Sequence, residues 1–260
     1  MGNGQSFSPS HSDSYPSVVT IADNVHMQNA MRATLGIESW KLVYGYSMGA
    51  MQALHWGALY PEKVERISAV CGGVLAGNIN KVFLQSLRHM VFASKGWDMS
   101  SGRFIGSEEE RVRCMRAFAR IYAGWGMSEE FYGTAEFLDE GFQSLEDFAV
   151  NSYEAGFANG NVNNLMAQIE TWRSSNIADS FNGNLTHALG SISAPVVWMP
   201  CTSDKYFIST EIERHCKQLQ RGHFRPIQSS WGHRAGDPWR ESQAAQLDHI
   251  RANVKDLLGM

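Results

Sequence analysis

Residues 40–71 constrain the fold of this chain more than any other segment. The apolar run Trp40-Lys41-Leu42-Val43-Tyr44-Gly45 predicts a buried strand. A sharp turn at residues 46–49 follows, and then a helix from about Ala50 to Tyr60, which Pro61 ends because proline cannot continue it. Residues 66–71 predict a second strand. Strand, turn, helix and strand form the repeating unit of a parallel sheet, so the segment predicts an α/β fold.

The strand pattern returns near the end of the chain. Residues 194–200 predict a strand, and residues 224–229 predict another despite Pro226. A helix is expected between them, from about Thr210 to Arg221, and a last one from about Arg240 to Leu258. With a helix from Ile21 to Leu35 before the first strand, about four strands of a mostly parallel sheet are visible.

Between the two strand regions the pattern is helical. A capping box at Ser107 and Glu110 predicts the start of one helix, and further helices are expected over Glu129–Phe137 and Leu145–Phe157. No clear buried strand appears in this stretch. We therefore predict an α/β core made of residues 1–74 and 189–260, with a helical insertion at residues 75–188.

Composition narrows the class of protein. The chain has 260 residues, of which 43% are hydrophobic, which is enough for a sizeable core. Its net charge of −4, without a basic block, argues against nucleic acid as a partner. No apolar run predicts a membrane span or a signal peptide, and the four cysteines lack the spacing of a metal site or a redox pair. These features predict a cytoplasmic protein with reduced thiols and no membrane partner.

The turn at residues 45–49 reads Gly-Tyr-Ser-Met-Gly, which matches the G-x-S-x-G pattern of a nucleophile elbow. A serine between a strand and a helix is held out from the backbone, and the next N–H can face a developing oxyanion. We therefore predict Ser47 as nucleophile and the N–H of Met48 as oxyanion donor. The alternative is a structural glycine-rich turn, which the flanking strand and helix make less favourable.

A serine nucleophile needs a base, and in this arrangement the acid and the histidine follow in that order. Asp204 comes just after the strand at 194–200, and His233 just after the strand at 224–229. Alone, each could be an ordinary loop residue. Their order and their positions at strand ends predict a Ser47, Asp204 and His233 triad. No histidine pair has the spacing of a metal site, and no cofactor is implied.

These residues resemble the homoserine O-acetyltransferase-like branch of the α/β-hydrolase superfamily. The likeness is carried by residues 2–10, 20–25, 45–54, 60–66, 192–195 and 204–207. It implies an α/β-hydrolase fold with a helical lid, and it places the triad on Ser47, Asp204 and His233. It also implies that the early strands and a second oxyanion N–H lie upstream of Met1, from which we expect a shortened chain of reduced activity.

Two segments are more similar to esterases than to true homoserine acetyltransferases. They are residues 120–126, Arg-Ile-Tyr-Ala-Gly-Trp-Gly, and residues 232–238, Gly-His-Arg-Ala-Gly-Asp-Pro. We therefore favour hydrolysis of small acyl (acetyl) esters. Acetyl transfer from acetyl-CoA, as co-substrate, to homoserine or a similar hydroxyl acceptor is an alternative, as is an inactive fragment or binding-only protein. The expected partner is a small-molecule ester or acyl donor. Relatives of this kind also form homodimers, although no residue here shows one.

Overall fold

A computed structural model describes residues 1–260. Four parallel strands form the central sheet, in the order β1-β2-β5-β6: β1 Val43–Tyr46, β2 Ile67–Val70, β5 Val196–Met199 and β6 Gly222–Phe224. A separate antiparallel ribbon pairs β3 Trp97–Asp98 with β4 Arg103–Phe104. The prediction of an α/β fold with a mostly parallel sheet is confirmed.

Eleven α-helices surround these strands. They are α1 Ile21–Thr34, α2 Met48–Leu59, α3 Asn78–Phe92, α4 Glu108–Gly126, α5 Glu129–Gly133, α6 Leu145–Phe148, α7 Ala155–Phe157, α8 Val162–Arg173, α9 Leu185–Gly190, α10 Ser209–Cys216 and α11 Ala244–Leu258. A π-helical turn, Ala149–Glu154, joins α6 to α7. No helix is long and apolar enough to cross a lipid bilayer.

Both faces of the sheet are packed against apolar side chains. Every residue of β2 and β5 is buried, which accounts for their nearly continuous apolar sequences. Successive side chains of a strand point to opposite faces. In β5, Val196 and Trp198 therefore join one apolar cluster, while Val197 and Met199 join the other. The sheet is thus the middle layer of the molecule, and the loops at the carboxyl ends of its strands meet along one edge.

Some predicted bounds were wrong. The strand placed at 224–229 lies instead at Gly222–Phe224. Beyond it the N–H groups of Arg225 and Ile227 still donate to the carbonyls of Trp198 and Pro200, and an isolated bridge joins Cys201 to Ile227, but the regular strand does not continue. The helix expected to reach Arg221 ends at Cys216. These shifts leave the order of the elements unchanged.

The region from 75 to 188 is mostly helical. It also holds one short ribbon, β3–β4, whose strands are two residues long and only half-buried. The helix expected over 129–137 is divided into α5 and a 3₁₀ turn at Glu136–Leu138, separated by Ala135 in a left-handed conformation. The capping box predicted at Ser107 and Glu110 is present at the start of α4. That this region acts as a lid stays a prediction.

All four cysteines are free thiols and all are buried: Cys71, Cys114, Cys201 and Cys216. Burial raises the pKa of each thiol, most strongly at Cys71. These sulfurs therefore behave as small apolar side chains of the core.

Candidate active site

Ser47 lies on the corner between β1 and α2. Its φ of 56° and ψ of −122° form an uncommon backbone conformation for a residue with a side chain. The corner is tight, since a Cβ atom at Gly45 would lie 2.0 Å from the carbonyl oxygen of Gly49. A Cβ atom at Gly72, just after β2, would lie 2.4 Å from the carbonyl oxygen of Ser47. The sequence can therefore form this corner only with glycine at both positions.

Met48 is the first residue of α2, so its N–H has no acceptor within the helix. It also takes no part in the loop and capping hydrogen bonds of the chain. This free N–H, next to the Ser47 hydroxyl and at the positive end of a helix of 12 residues, suits an oxygen atom that gains negative charge. That it serves as the oxyanion donor stays a prediction.

The three side chains singled out from the sequence lie together. His233 Nε2 is 2.9 Å from Ser47 Oγ, and His233 Nδ1 is 2.8 Å from Asp204 Oδ2. They come from three separate elements: the β1–α2 corner, the loop after β5, and a 3₁₀ turn at Gly232–Gly236 that follows the β6 region. With Nδ1–H donating to the carboxylate, Nε2 keeps a lone pair that can accept the Ser47 proton.

Both carboxylate oxygens of Asp204 accept hydrogen bonds. Oδ2 accepts from His233, and Oδ1 accepts from the backbone N–H groups of Tyr206 and Phe207 at 2.7 and 3.3 Å. Its side chain has no exposed surface, and that of His233 is only 5% exposed. A buried carboxylate is tolerated when it is hydrogen-bonded, and here the bonds also fix its direction.

Aromatic rings fix the orientation of the imidazole. Tyr46 stacks on His233 at 5.0 Å between ring centroids, and its hydroxyl donates to the backbone carbonyl of His233 at 3.1 Å. Tyr206 meets the imidazole edge-on at 4.8 Å, and Phe207 lies 5.7 Å away. The imidazole is therefore packed on several sides and has little freedom to leave Ser47.

A cavity of about 480 Å³ opens beside Ser47 and His233. Its walls come from the sheet side and from the helical region between β2 and β5, which contributes Tyr122 and Tyr153. Burial raises the pKa of Tyr122 to about 12 and that of Tyr153 still further, so both hydroxyls stay protonated at neutral pH. The site therefore combines an oriented serine with a mainly aromatic pocket of small-molecule size.

A family model described as alpha/beta hydrolase fold matches residues 1–233 of the chain. The chain belongs to this family.

Individual relatives of this α/β-hydrolase include both esterases and homoserine O-acetyltransferases. Ethyl acetate hydrolase of Pseudomonas veronii is 28% identical over 241 residues, which are 92% of this chain and 67% of the relative. A homoserine O-acetyltransferase of Chlorobium luteolum is 32% identical over 148 residues, covering 52% of this chain and 41% of the relative. These are the two kinds of protein named by the sequence resemblance, which is thereby confirmed.

Among solved structures, an acetylester hydrolase from Corynebacterium glutamicum superposes with a TM-score of 0.91 at 26% identity. The match covers 100% of this chain and 75% of that protein. The prediction of an α/β-hydrolase-fold enzyme is confirmed by these relatives.

Sequence reasoning missed several residues that shape the site of this α/β-hydrolase. The strand predicted over residues 66–71 ended before Gly72, and its sequence did not indicate that this glycine makes room for Ser47. Cys71, just before it, has a φ of 44°. Tyr122 and Tyr153 lie in helices whose faces could not be placed against the core from sequence. The only sequence feature that could have pointed to Arg234 is its position directly after His233.

Proposed function

We propose that this chain hydrolyses small carboxylic esters, acetyl esters above all, through an acyl-enzyme on Ser47. The observation that carries the proposal is the hydrogen-bonded series from Asp204 through His233 to Ser47, at 2.8 and 2.9 Å, beside a cavity. The names of two relatives, an ethyl acetate hydrolase and an acetylester hydrolase, support the choice of a small acetyl ester.

In the first step His233 Nε2 takes the Ser47 proton while Ser47 Oγ attacks the ester carbonyl. The carbonyl oxygen becomes an oxyanion, and the N–H of Met48 donates to it. Breakdown of this intermediate expels the alcohol, which receives its proton from His233. The acyl group is then bonded to Ser47 as an ester.

In the second step a water molecule takes the place of the alcohol. His233 accepts a proton from the water, which attacks the acyl-serine carbonyl, and the carboxylic acid leaves as Ser47 regains its proton. Asp204 takes no part in these proton transfers. Its role is to hold Nδ1–H in place and to stabilise the imidazolium that forms in each half of the cycle.

The same acyl-enzyme could pass its acyl group to another hydroxyl. Acetyl transfer from acetyl-CoA to homoserine or a similar acceptor is therefore a second candidate, favoured by the homoserine O-acetyltransferase relatives. The acetyl-CoA would act as co-substrate, and neither reaction calls for a bound cofactor. A binding-only protein would have no use for all three oriented side chains.

The test compares two reactions in one preparation: release of p-nitrophenol from p-nitrophenyl acetate, propionate and butyrate, and acetyl transfer from acetyl-CoA to homoserine. Wild type, Ser47→Ala and the surface control Ser101→Ala are assayed together. We expect ester turnover, fastest with acetate, that is lost only in Ser47→Ala. Transfer faster than hydrolysis would instead make the protein an acyltransferase. Absence of both reactions, with no labelling of Ser47 by a fluorophosphonate, would contradict both catalytic functions.

A further inference from the structure

The cavity beside Ser47 has an uneven distribution of charge. It is lined by 15 residues, among which are two arginines, Arg234 and Arg240, but no aspartate or glutamate. A cavity with cationic and without anionic side chains attracts ligands of the opposite sign.

Arg240 is already neutralised by another part of the protein. Its guanidinium is 3.0 Å from the Glu140 carboxylate, whose side chain is only 8% exposed. It also lies over the rings of Trp239 and Phe142, at 4.4 and 5.4 Å from their centroids. These contacts give Arg240 a structural role at the rim of the cavity.

The guanidinium of Arg234 has fewer partners within the protein than that of Arg240. None of its guanidinium N–H groups makes a hydrogen bond within the chain. Its one ionic neighbour is Asp237 at 3.3 Å, and because the Asp237 side chain is 52% exposed, water weakens the attraction. A guanidinium has five N–H donors in a planar fork that fits a carboxylate, so Arg234 keeps most of its binding capacity free.

The charge of Arg234 also reaches three walls of the cavity. Burial is the main cause that raises the pKa of Tyr46, Tyr122 and Tyr153, and the positive charge of Arg234 opposes that rise at all three. Arg234 lines the same cavity as these three tyrosines, which belong to β1, α4 and the π-helical turn.

We propose that Arg234 gives this site a preference for esters that carry a carboxylate on their alcohol part. The inference rests on the proposed esterase function. A small acyl group such as acetyl has no room for a second charged group, so the carboxylate must belong to the alcohol. A carboxylate near Arg234 would lie one residue from His233, close enough to orient the ester for attack by Ser47.

The experiment uses two probes of similar shape, the anionic 4-acetoxybenzoate and its neutral methyl ester, with release of acetate as the readout. The variants are Arg234→Gln, Arg234→Lys and Asp237→Asn. Arg113→Gln is the control, since Arg113 is an exposed arginine with a carboxylate partner, Glu109, outside this cavity. It removes the same charge from the chain without changing the site.

We expect kcat/KM for 4-acetoxybenzoate to fall about tenfold in Arg234→Gln, mainly through KM, while the methyl ester changes less than about twofold. Arg234→Lys should restore part of the loss. Asp237→Asn should raise the preference for the anionic probe, because it removes the competing carboxylate. Equal losses for both probes, or no loss for either, would overturn the role of Arg234.

Calorimetric binding of 4-hydroxybenzoate, compared with 4-hydroxybenzyl alcohol, separates this inference from the esterase proposal. If no ester is turned over but the acid binds more tightly than the alcohol, and only in proteins that retain Arg234, the carboxylate site stands and the esterase fails. Normal turnover of the methyl ester with no Arg234-dependent preference would leave the esterase standing and overturn the carboxylate site.

Discussion

Ser47 combines a strained backbone with a side chain that is held in one direction. A non-glycine residue at φ 56° and ψ −122° costs on the order of 1–3 kcal/mol, which the surrounding packing must offset. The result is a hydroxyl at the start of α2 that points to His233 at 2.9 Å. In physical terms, folding energy of the core is used to hold the serine where its proton can be removed.

Asp204 acts by selecting the tautomer of His233. In Asp204→Asn the amide oxygen can still accept from the N–H groups of Tyr206 and Phe207, but the amide nitrogen would face His233 Nδ1 and favour the tautomer that protonates Nε2. We predict a fall in kcat of about 10³–10⁴ with the fold retained.

Asp204→Ala should also lower the free energy of unfolding, by about 1–3 kcal/mol, because two N–H groups lose their acceptor. Ester kinetics and urea unfolding check both effects, and an active Asp204→Asn would contradict this role.

His55 makes the stability of the protein depend on pH. It is 2% exposed, and burial lowers its pKa to about 4 from an ordinary value of 6.5. Between these values the unfolded chain binds a proton that the folded chain does not, so stability is full above pH 6.5 and falls as the pH drops toward 4. The loss from this residue is about 3 kcal/mol.

The measurement is urea unfolding at pH 7, 5.5 and 4.5. Wild type should lose more stability on acidification than His55→Gln, while His223→Gln, at an exposed position, should follow wild type. Parallel curves for wild type and His55→Gln would show that another group controls the acid sensitivity.

At the scale of elements, the contact between β1, α2 and the end of β2 determines where Ser47 lies. Gly45→Ala and Gly72→Ala would each push a methyl group to within 2.4 Å of a backbone oxygen or closer, so both should displace the corner and abolish most ester turnover. Gly49→Ala is the matched control, because its added methyl group meets no atom within 4 Å. Alanine is favoured over glycine in a helix by about 1 kcal/mol, so this variant should be at least as stable as wild type. Thermal unfolding compares the stabilities of the three variants, and kcat for ester hydrolysis compares their activities. Equal losses in all three variants would contradict the geometric reason.

Elements with strong local signals could be predicted from the sequence, and those fixed by tertiary contacts could not. The apolar runs at β1, β2 and β5 and the cap at Ser107 act locally, so their positions followed from the residues. The pairing of β6 depends on which carbonyl of β5 lies opposite, and residues 224–229 alone do not encode that. The ribbon β3–β4 is two residues per strand, too short for an alternating pattern.

In the candidate site, too, some residues could be predicted from the sequence and others could not. The order of Ser47, Asp204 and His233, each after a strand, led to the three side chains that the structure brings together. The walls of the cavity could not be predicted from the sequence, because Tyr122 and Tyr153 belong to helices whose rotation against the sheet is set by packing. Arg234 is next to His233 in sequence, yet its free guanidinium is visible only once its neighbours are placed.

At the scale of the whole molecule, the two apolar clusters on the two faces of the sheet enclose the thiols. Each cysteine is at most 4% exposed and has a raised pKa, so the reactive thiolate form is scarce in the folded state. We predict almost no reaction with Ellman's reagent under native conditions and four thiols titrated in guanidinium chloride. Rapid native labelling of even one thiol would contradict the packing described around it.

The most direct test of the central claim is to trap the acyl-enzyme. The protein is mixed with p-nitrophenyl acetate, quenched in acid within milliseconds to seconds, and digested for mass spectrometry, with Ser47→Ala and His233→Ala in parallel. We predict a burst of p-nitrophenol and one acetyl group on the peptide that contains Ser47, absent from both variants. Acetylation at another residue, or ester turnover that persists in Ser47→Ala, would contradict the account.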